Sequence, residues 1–186
     1  NPFYATIVKG IEDVAQKYNY SIMLCNTDSD INREKNYIEL LAKKVVQGAI
    51  LLDTEMTKDE LNTLAKENKI ILCCEYREGV NVSHVMIDNY TAAKTIVKHL
   101  LSLGHRRIAL IAGDTHLSST SLRYKGYIDA LFEAGITPDE NLIYWSGTSS
   151  FKMGMRIMET ILGCEKRPTA VFAMSDVLAI DAIKSI

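Results

Sequence analysis

The sequence predicts an α/β chain of two lobes, each a parallel sheet flanked by helices. Three observations predict it. Short continuous apolar runs such as RIALIAG (107–113) and TAVFAMS (169–175) have the length and composition of strands buried on both faces. These runs alternate with amphipathic stretches of helical period, the pattern of repeated strand–helix units. One junction breaks the rhythm: a polar loop, YREGVNVS (76–83), and the short run HVMID (84–88) separate two sets of units.

The elements follow in order. Residues 3–18 predict a helix, because Ile7, Val8, Ile11, Val14, Ala15 and Tyr18 recur at i, i+3, i+4 spacing opposite Lys9, Glu12, Asp13, Gln16 and Lys17. SIMLCNT (21–27) predicts a buried strand, 32–44 a helix and VQGAILLD (46–53) a strand. Thr57 followed by Glu60 is a capping box that opens a third helix. KIILCCE (69–75) and HVMID predict two more strands. A helix over 90–103 carries Ala93, Ile96, Val97, Leu100 and Leu101 on one face and stops at Gly104. After the strand RIALIAG, the positions Leu122, Tyr124, Ile128, Leu131 and Phe132 mark a helix that Gly135 ends. NLIYW (141–145) is a strand, 151–162 a helix, TAVFAMS a strand, and a last helix starts at Asp176. The first lobe is placed at 1–88 and the second at 89–186, with the crossover at Asp88 and Asn89.

Composition narrows the function. With 186 residues, 47% of them hydrophobic, the chain holds one substantial core or two small lobes. A net charge of −2 gives no basic footprint for nucleic acid, and no apolar run approaches the roughly 18 residues of a membrane span. The four cysteines (Cys25, Cys73, Cys74 and Cys164) form neither a CxxC pair nor a spaced metal set, and read as small buried hydrophobes in a reducing cytosol. His84, His99, His105 and His116 lack metal-ligand spacing, and GxSxG, GxGxxG, GxxxxGK[ST] and HExxH motifs are missing, so neither metal, cofactor nor catalysis is expected.

In open parallel sheets, ligands bind beyond the carboxyl ends of the strands. The residues there are Asn26-Thr27-Asp28, Asp53, Glu75, Asp88, Gly113-Asp114 and Ser175-Asp176. A lining of carboxylates, amides and hydroxyls suits a polyol, whose hydroxyls both donate and accept. The stretch SSTSLRYKGY (118–127) follows the strand RIALIAG with four hydroxyl residues and then Arg123, at a helix start whose dipole favours acids. At a carboxyl edge, the guanidinium fork is placed to meet ligand oxygens, with Asp176 to offset its charge. Ser119 has two roles open, helix cap and ligand contact. Asp88 and Asp176 likewise suit both capping and binding.

The segments NPFYATIVKGIEDVAQKYNYSIMLCNTDSD, QGAILL, VMIDNYTAAKTIVKHLLSLGHRRIALIAG, STSLRYKGYIDALFEAGI and RPTAVFAMSDVLAIDAI resemble, in order, the effector-binding domain of the lactose-repressor family of bacterial transcription regulators. That resemblance implies the two-lobed type I fold of periplasmic sugar-binding proteins. It implies effector contacts at Phe3, Tyr4, Asp88, Ser119, Arg123 and Asp176, and Ser149 where many relatives carry an aromatic residue. Thr148 replaces the acid common before that aromatic. Phe3 and Tyr4 suit either ring stacking on the effector or a hydrophobic staple at the first helix. The run ILCCEYREG is similar to the cytidine-repressor branch, which points to a nucleoside or pentose-containing effector within the sugar or nucleoside class that the resemblance implies.

Family members begin with a helix-turn-helix head, a hinge helix and a strand before the NPF turn. They continue with further strands after the last helix seen here. The resemblance thus implies a cytoplasmic homodimer that meets operator DNA through a head outside these residues, with both lobes incomplete and sheet edges exposed. The helices at 3–18 and 32–44 are the expected dimer surfaces. A hinge closure of the lobes on effector is the implied mechanism. Two other readings stand beside it: a periplasmic sugar-binding protein of a transporter, with the same fold, and an enzyme on a doubly wound scaffold.

Overall fold

A computed structural model of the protein describes residues 2–147 and 152–186. The chain divides into two compact units, Asn1–Met86 and Ile87–Ile186. The first holds α1 (Pro2–Lys17), α2 (Ile31–Ala42), β1 (Ala49–Leu51), α3 (Lys58–Glu67), β2 (Ile70–Cys73) and β3 (Ser83–Val85). Its strands are parallel in the order β1-β2-β3, with Ala49 opposite Ile70 and Ile71 opposite Ser83. Asp30 caps α2 through the amides of Asn32 and Arg33, and Thr57 and Glu60 form the expected capping box on α3. Leu41 of α2 and Leu61 of α3 pack on Leu51, Ile70 and Leu72, together with Met56. The opposite sheet face is uncovered: Ile50 is 42% exposed and Ile71 40%.

The second unit contains α4 (Asn89–Ser102), β4 (Ile108–Ala112), α5 (Ser118–Glu133), a 3-10 turn (Glu140–Leu142), β5 (Ile143–Trp145), α6 (Met153–Leu162), β6 (Ala170–Ala173) and α7 (Asp176–Ile183). The sheet is parallel with β4 central, in the order β5-β4-β6. Every residue of β4 is buried. Side chains alternate across a strand. Ile108, Leu110 and Ala112 therefore meet Val97, Tyr127, Ala130 and Leu131 of α4 and α5, while Ala109 and Ile111 meet Ile157, Met158, Ile161, Leu178 and Ala182 of α6 and α7. Each fully buried aliphatic side chain contributes about 1.5–3 kcal/mol.

Two glycines set the helix packing. A Cβ on Gly126 of α5 would lie 2.5 Å from the Tyr90 carbonyl oxygen and 3.0 Å from the Lys94 nitrogen of α4. One on Gly154 of α6 would lie 2.4 Å from the Leu178 carbonyl oxygen of α7. Backbone atoms cannot step aside as a flexible side chain would. On the outer side of α4 and α5, Tyr90 donates to Asp129 (2.9 Å) and Lys94 pairs with Glu133 (2.6 Å).

The structure matches the predicted fold class, and it corrects three details. SIMLCNT is not a strand: among the described residues no strand pairs with 21–27, and Ile22, Met23 and Leu24 are exposed. Composition suits a strand there, but a strand exists only as part of a ladder. Coverage on both faces holds for the second sheet and not for the first. The cysteines are half-buried and not core residues.

Replacing Gly126 by Ala is expected to destabilise the protein by about 1–3 kcal/mol through forced overpacking of α4 on α5. Urea unfolding followed by circular dichroism measures it. Gly10→Ala in α1, where an added Cβ meets nothing within 4 Å, serves as the control for helix propensity alone and is expected to stabilise by about 0.5–1 kcal/mol.

Candidate functional site

The carboxyl edge of the second sheet is built around Arg123. Gly113 follows β4 and lets the first turn of α5 approach, since a Cβ there would lie 3.1 Å from the Thr120 hydroxyl. The chain enters α5 with Leu117 at the cap position and no side-chain cap hydrogen bond. Ser119 therefore does not cap the helix; it lies inside the first turn, half-buried. Arg123 lies five residues on from Ser118, in the second turn rather than the first, and its fork turns back over the strand ends. Its Nε donates to Asn89 Oδ1 (2.8 Å), and an NH1 hydrogen bond goes to the Met174 carbonyl oxygen. Asn89 is 1% exposed, so an unmet polar group there would be costly. The arginine therefore ties the start of α4, the second turn of α5 and the end of β6 into one knot.

The acids flank this knot in sequence. Asp88 precedes Asn89, caps α4 and accepts from the Thr91 amide (2.9 Å). Hydrogen bonds from Thr91 hold its carboxyl below the usual range, so it is ionised. Asp176 stands two residues past Met174 as the first residue of α7. Ser175 caps that helix through the Leu178 amide (3.3 Å), leaving Asp176 exposed, with Oδ1 accepting from the Val177 amide (2.9 Å). The expected site residues Asp88, Ser119, Arg123 and Asp176 thus fall at one edge of one unit. Asn89 was missed because an amide at a helix start carries no motif. Ser149, together with Thr148, lies outside the described residues. A depression of about 320 Å³, lined by Arg107, Tyr127, Leu131 and Asp139, lies at the other, amino end of this sheet.

In the first unit, Phe3 and Tyr4 lie in the first turn of α1, their rings edge to face with centroids 5.3 Å apart. The carboxyl edge of that sheet holds a different cluster. Thr54 donates to Glu34 (2.5 Å), which also accepts from the Glu55 amide (3.0 Å). Arg77 bonds Glu75 (2.6 Å) and the carbonyls of Thr54 and Met56, stitching the loop after β2 to the loop after β1. The other Glu75 oxygen is buried with no hydrogen-bond partner. Asp53 reaches solvent at the rim, yet the protein around it, followed by the charges of Glu75, Glu55 and Glu34, pushes its carboxyl up to about 6. The sequence marked Asp53 and Glu75 as residues past strand ends, but not Arg77, whose role depends on a fold-back of the loop. Among the described residues, no three His, Cys, Asp or Glu side chains converge to hold a metal ion, and no helix is long and apolar enough to cross a membrane.

Two outcomes follow. Arg123→Ala is expected to cost about 1–3 kcal/mol in chemical denaturation, because Asn89 and the Met174 carbonyl lose a charged donor. For Asp53, the folded carboxyl titrates near 6 against an ordinary 3.8, so the folded state binds this proton more tightly. Its stability contribution is full below about pH 4 and lost as pH rises through about 6. The difference between wild-type and Asp53→Asn unfolding free energies, measured from pH 4 to 8, is expected to show that slope, with the variant relatively more stable above pH 6.

The chain matches, over residues 1–185, the family described as periplasmic binding proteins and sugar binding domain of LacI family. It is 30% identical over 186 residues to the HTH-type transcriptional repressor PurR of Haemophilus influenzae (strain PittEE), covering all of this chain and 55% of that protein. Against PurR of Pasteurella multocida (strain Pm70) the identity is 33% over 195 residues, covering all of this chain and 56% of the relative. The chain thus spans about half the length of the curated relatives it matches. Among solved structures, it superposes on the transcription regulator CcpA of Lactococcus lactis with a TM-score of 0.88 and 27% identity, covering 100% of this chain and 68% of that one. A LacI family transcriptional regulator from Lactobacillus casei, solved with bound glucose, shares the fold with a TM-score of 0.87 at 23% identity, over 100% and 70% of the two chains. A protein from Actinobacillus succinogenes gives 0.91 at 36% identity, over 100% and 68%. The chain belongs to the family of periplasmic binding proteins and the sugar-binding domain of the LacI family.

Proposed function

We propose that this chain is the effector-binding region of a bacterial DNA-binding repressor. It recognises a small polar molecule, a sugar or a nucleoside, and alters operator binding through a head domain outside these residues. The observation that carries the reading is the Asn89–Arg123–Met174 knot. It holds a guanidinium at the carboxyl edge of a parallel sheet, with Asp88, Ser119 and Asp176 beside it in the chain. An arginine fork meets two neighbouring hydroxyls, and carboxylates accept from others. Phe3, Tyr4 and Ser149 complete the proposed set of effector contacts.

The names of the relatives support a repressor over a transporter's periplasmic sugar-binding protein, since PurR and CcpA are transcription regulators. The same names support a regulator over an enzyme. In this reading the protein works in the cytoplasm as a homodimer, and α1 and α2 supply the pairing surface. Effector binding alters operator binding only as far as its affinity differs between the conformations it selects. The units themselves are proposed as the lobes 1–88 and 89–186.

A thermal-shift screen of sugars and nucleosides on the full-length protein is expected to raise the melting temperature with one class only. For that hit, Asp176→Asn and Arg123→Lys are expected to weaken binding at least tenfold by calorimetry, and fluorescence anisotropy on operator DNA is expected to change with the hit. Unchanged affinity in both variants would overturn the site.

A further inference from the structure

Cys73 is the last residue of β2 and Cys74 follows it. In a continuing strand, neighbouring side chains point to opposite faces, so adjacent sulfurs stand well apart. Here the strand is broken at that step. Cys74 has φ +68°, a left-handed conformation that costs a non-glycine residue on the order of 1 kcal/mol or more. Its amide is held by the Val85 carbonyl of the neighbouring strand at 2.7 Å. The result is that both sulfurs lie on one side, 3.8 Å apart, and both residues are half-buried.

Two thiolates bound to one centre by bonds of about 2.3 Å lie roughly 3.5–3.8 Å apart. The sulfurs therefore stand at chelating distance with little movement required. A disulfide is a poorer fit, because the sulfurs would close to about 2.05 Å between Cα atoms that adjacency holds about 3.8 Å apart. A protein-only metal cage is also a poorer fit, because among the described residues no group of three ligating side chains forms.

We propose that Cys73 and Cys74 form a vicinal dithiol that chelates one thiophilic centre of the trivalent organoarsenical class, which two sulfurs complete. The step balances without redox change. Two As–S bonds form, the As=O group is lost, and its oxygen leaves as water with the two thiol protons. Cys25 and Cys164 lie far from this pair in sequence and take no part.

The test uses the full-length protein and phenylarsine oxide. Intact mass is expected to rise by one arsenical less one water per chain, with two fewer thiols titrating, and the change is expected to reverse with a dithiol but not with a monothiol. After loading, alkylation with iodoacetamide and peptide mapping should find Cys73 and Cys74 protected and Cys25 and Cys164 modified. Cys74→Gly suits the left-handed backbone, so it is expected to keep or raise the melting temperature while losing capture at least a hundredfold; Cys73→Ser should lose it likewise. The doubly substituted Cys25→Ser, Cys164→Ser protein should bind as the wild type does. Alkylation of Cys73 or Cys74 in the loaded protein, or dithiol-reversible capture by folded Cys74→Gly, overturns the proposal.

Discussion

The constraint on which the second unit depends is that β4 has no solvent-facing side. Its five residues alternate between two cores, one closed by α4 and α5 and the other by α6 and α7. A strand in that position cannot slip by one residue without exchanging the two sets of neighbours. The ladders to β5 and β6 then fix where each strand ends. The amides of Ser146 and Met174 meet the carbonyls of Ala112 and Ile111, each at 3.0 Å, so the carboxyl edge is level across the sheet. Gly126 lets α5 approach α4, and Gly154 lets α6 approach α7, at backbone distance.

Because the edge is fixed, one side chain joins three elements. Arg123 reaches from the second turn of α5 to the first residue of α4 and the residue after β6. Two of its contacts are the Asn89 amide oxygen and the Met174 peptide carbonyl, and the acids Asp88 and Asp176 stand within two residues of these partners in the chain. The placement resolves an apparent conflict with the helix dipole. The cation does not sit at the helix start but reaches over the carboxyl ends of neighbouring strands, where peptide oxygens point out.

The first unit is organised differently. One sheet face is packed and the other is open, and at its carboxyl edge Arg77 holds Glu75 while Thr54 and the Glu55 amide hold Glu34. Desolvation by burial, followed by the charges of Glu75, Glu55 and Glu34, pushes the Asp53 carboxyl up to about 6, and one Glu75 oxygen is buried without a hydrogen-bond partner. The contrast between the two edges, one organised about an arginine with flanking acids and one about acids with a stitching arginine, follows from which loops fold back on which strand ends.

The sequence by itself determined the helix faces, the strand runs around β4 and β6, the capping box at Thr57, the glycine stops at Gly104 and Gly135, and the residues that follow each strand. These are local patterns of period, cap and turn, set by chemistry within a few residues. It also carried the family in its ordered motifs. Only the tertiary structure decided that 21–27 meets no strand, because a ladder is made by a partner and not by composition. The same holds for Leu117 at the head of α5, for Asn89 beneath Arg123, and for Cys73 and Cys74 turned to one side. The last two depend on groups distant in sequence, the Arg123 guanidinium for Asn89 and the Val85 carbonyl for Cys74, and no spacing along the chain reports those distances.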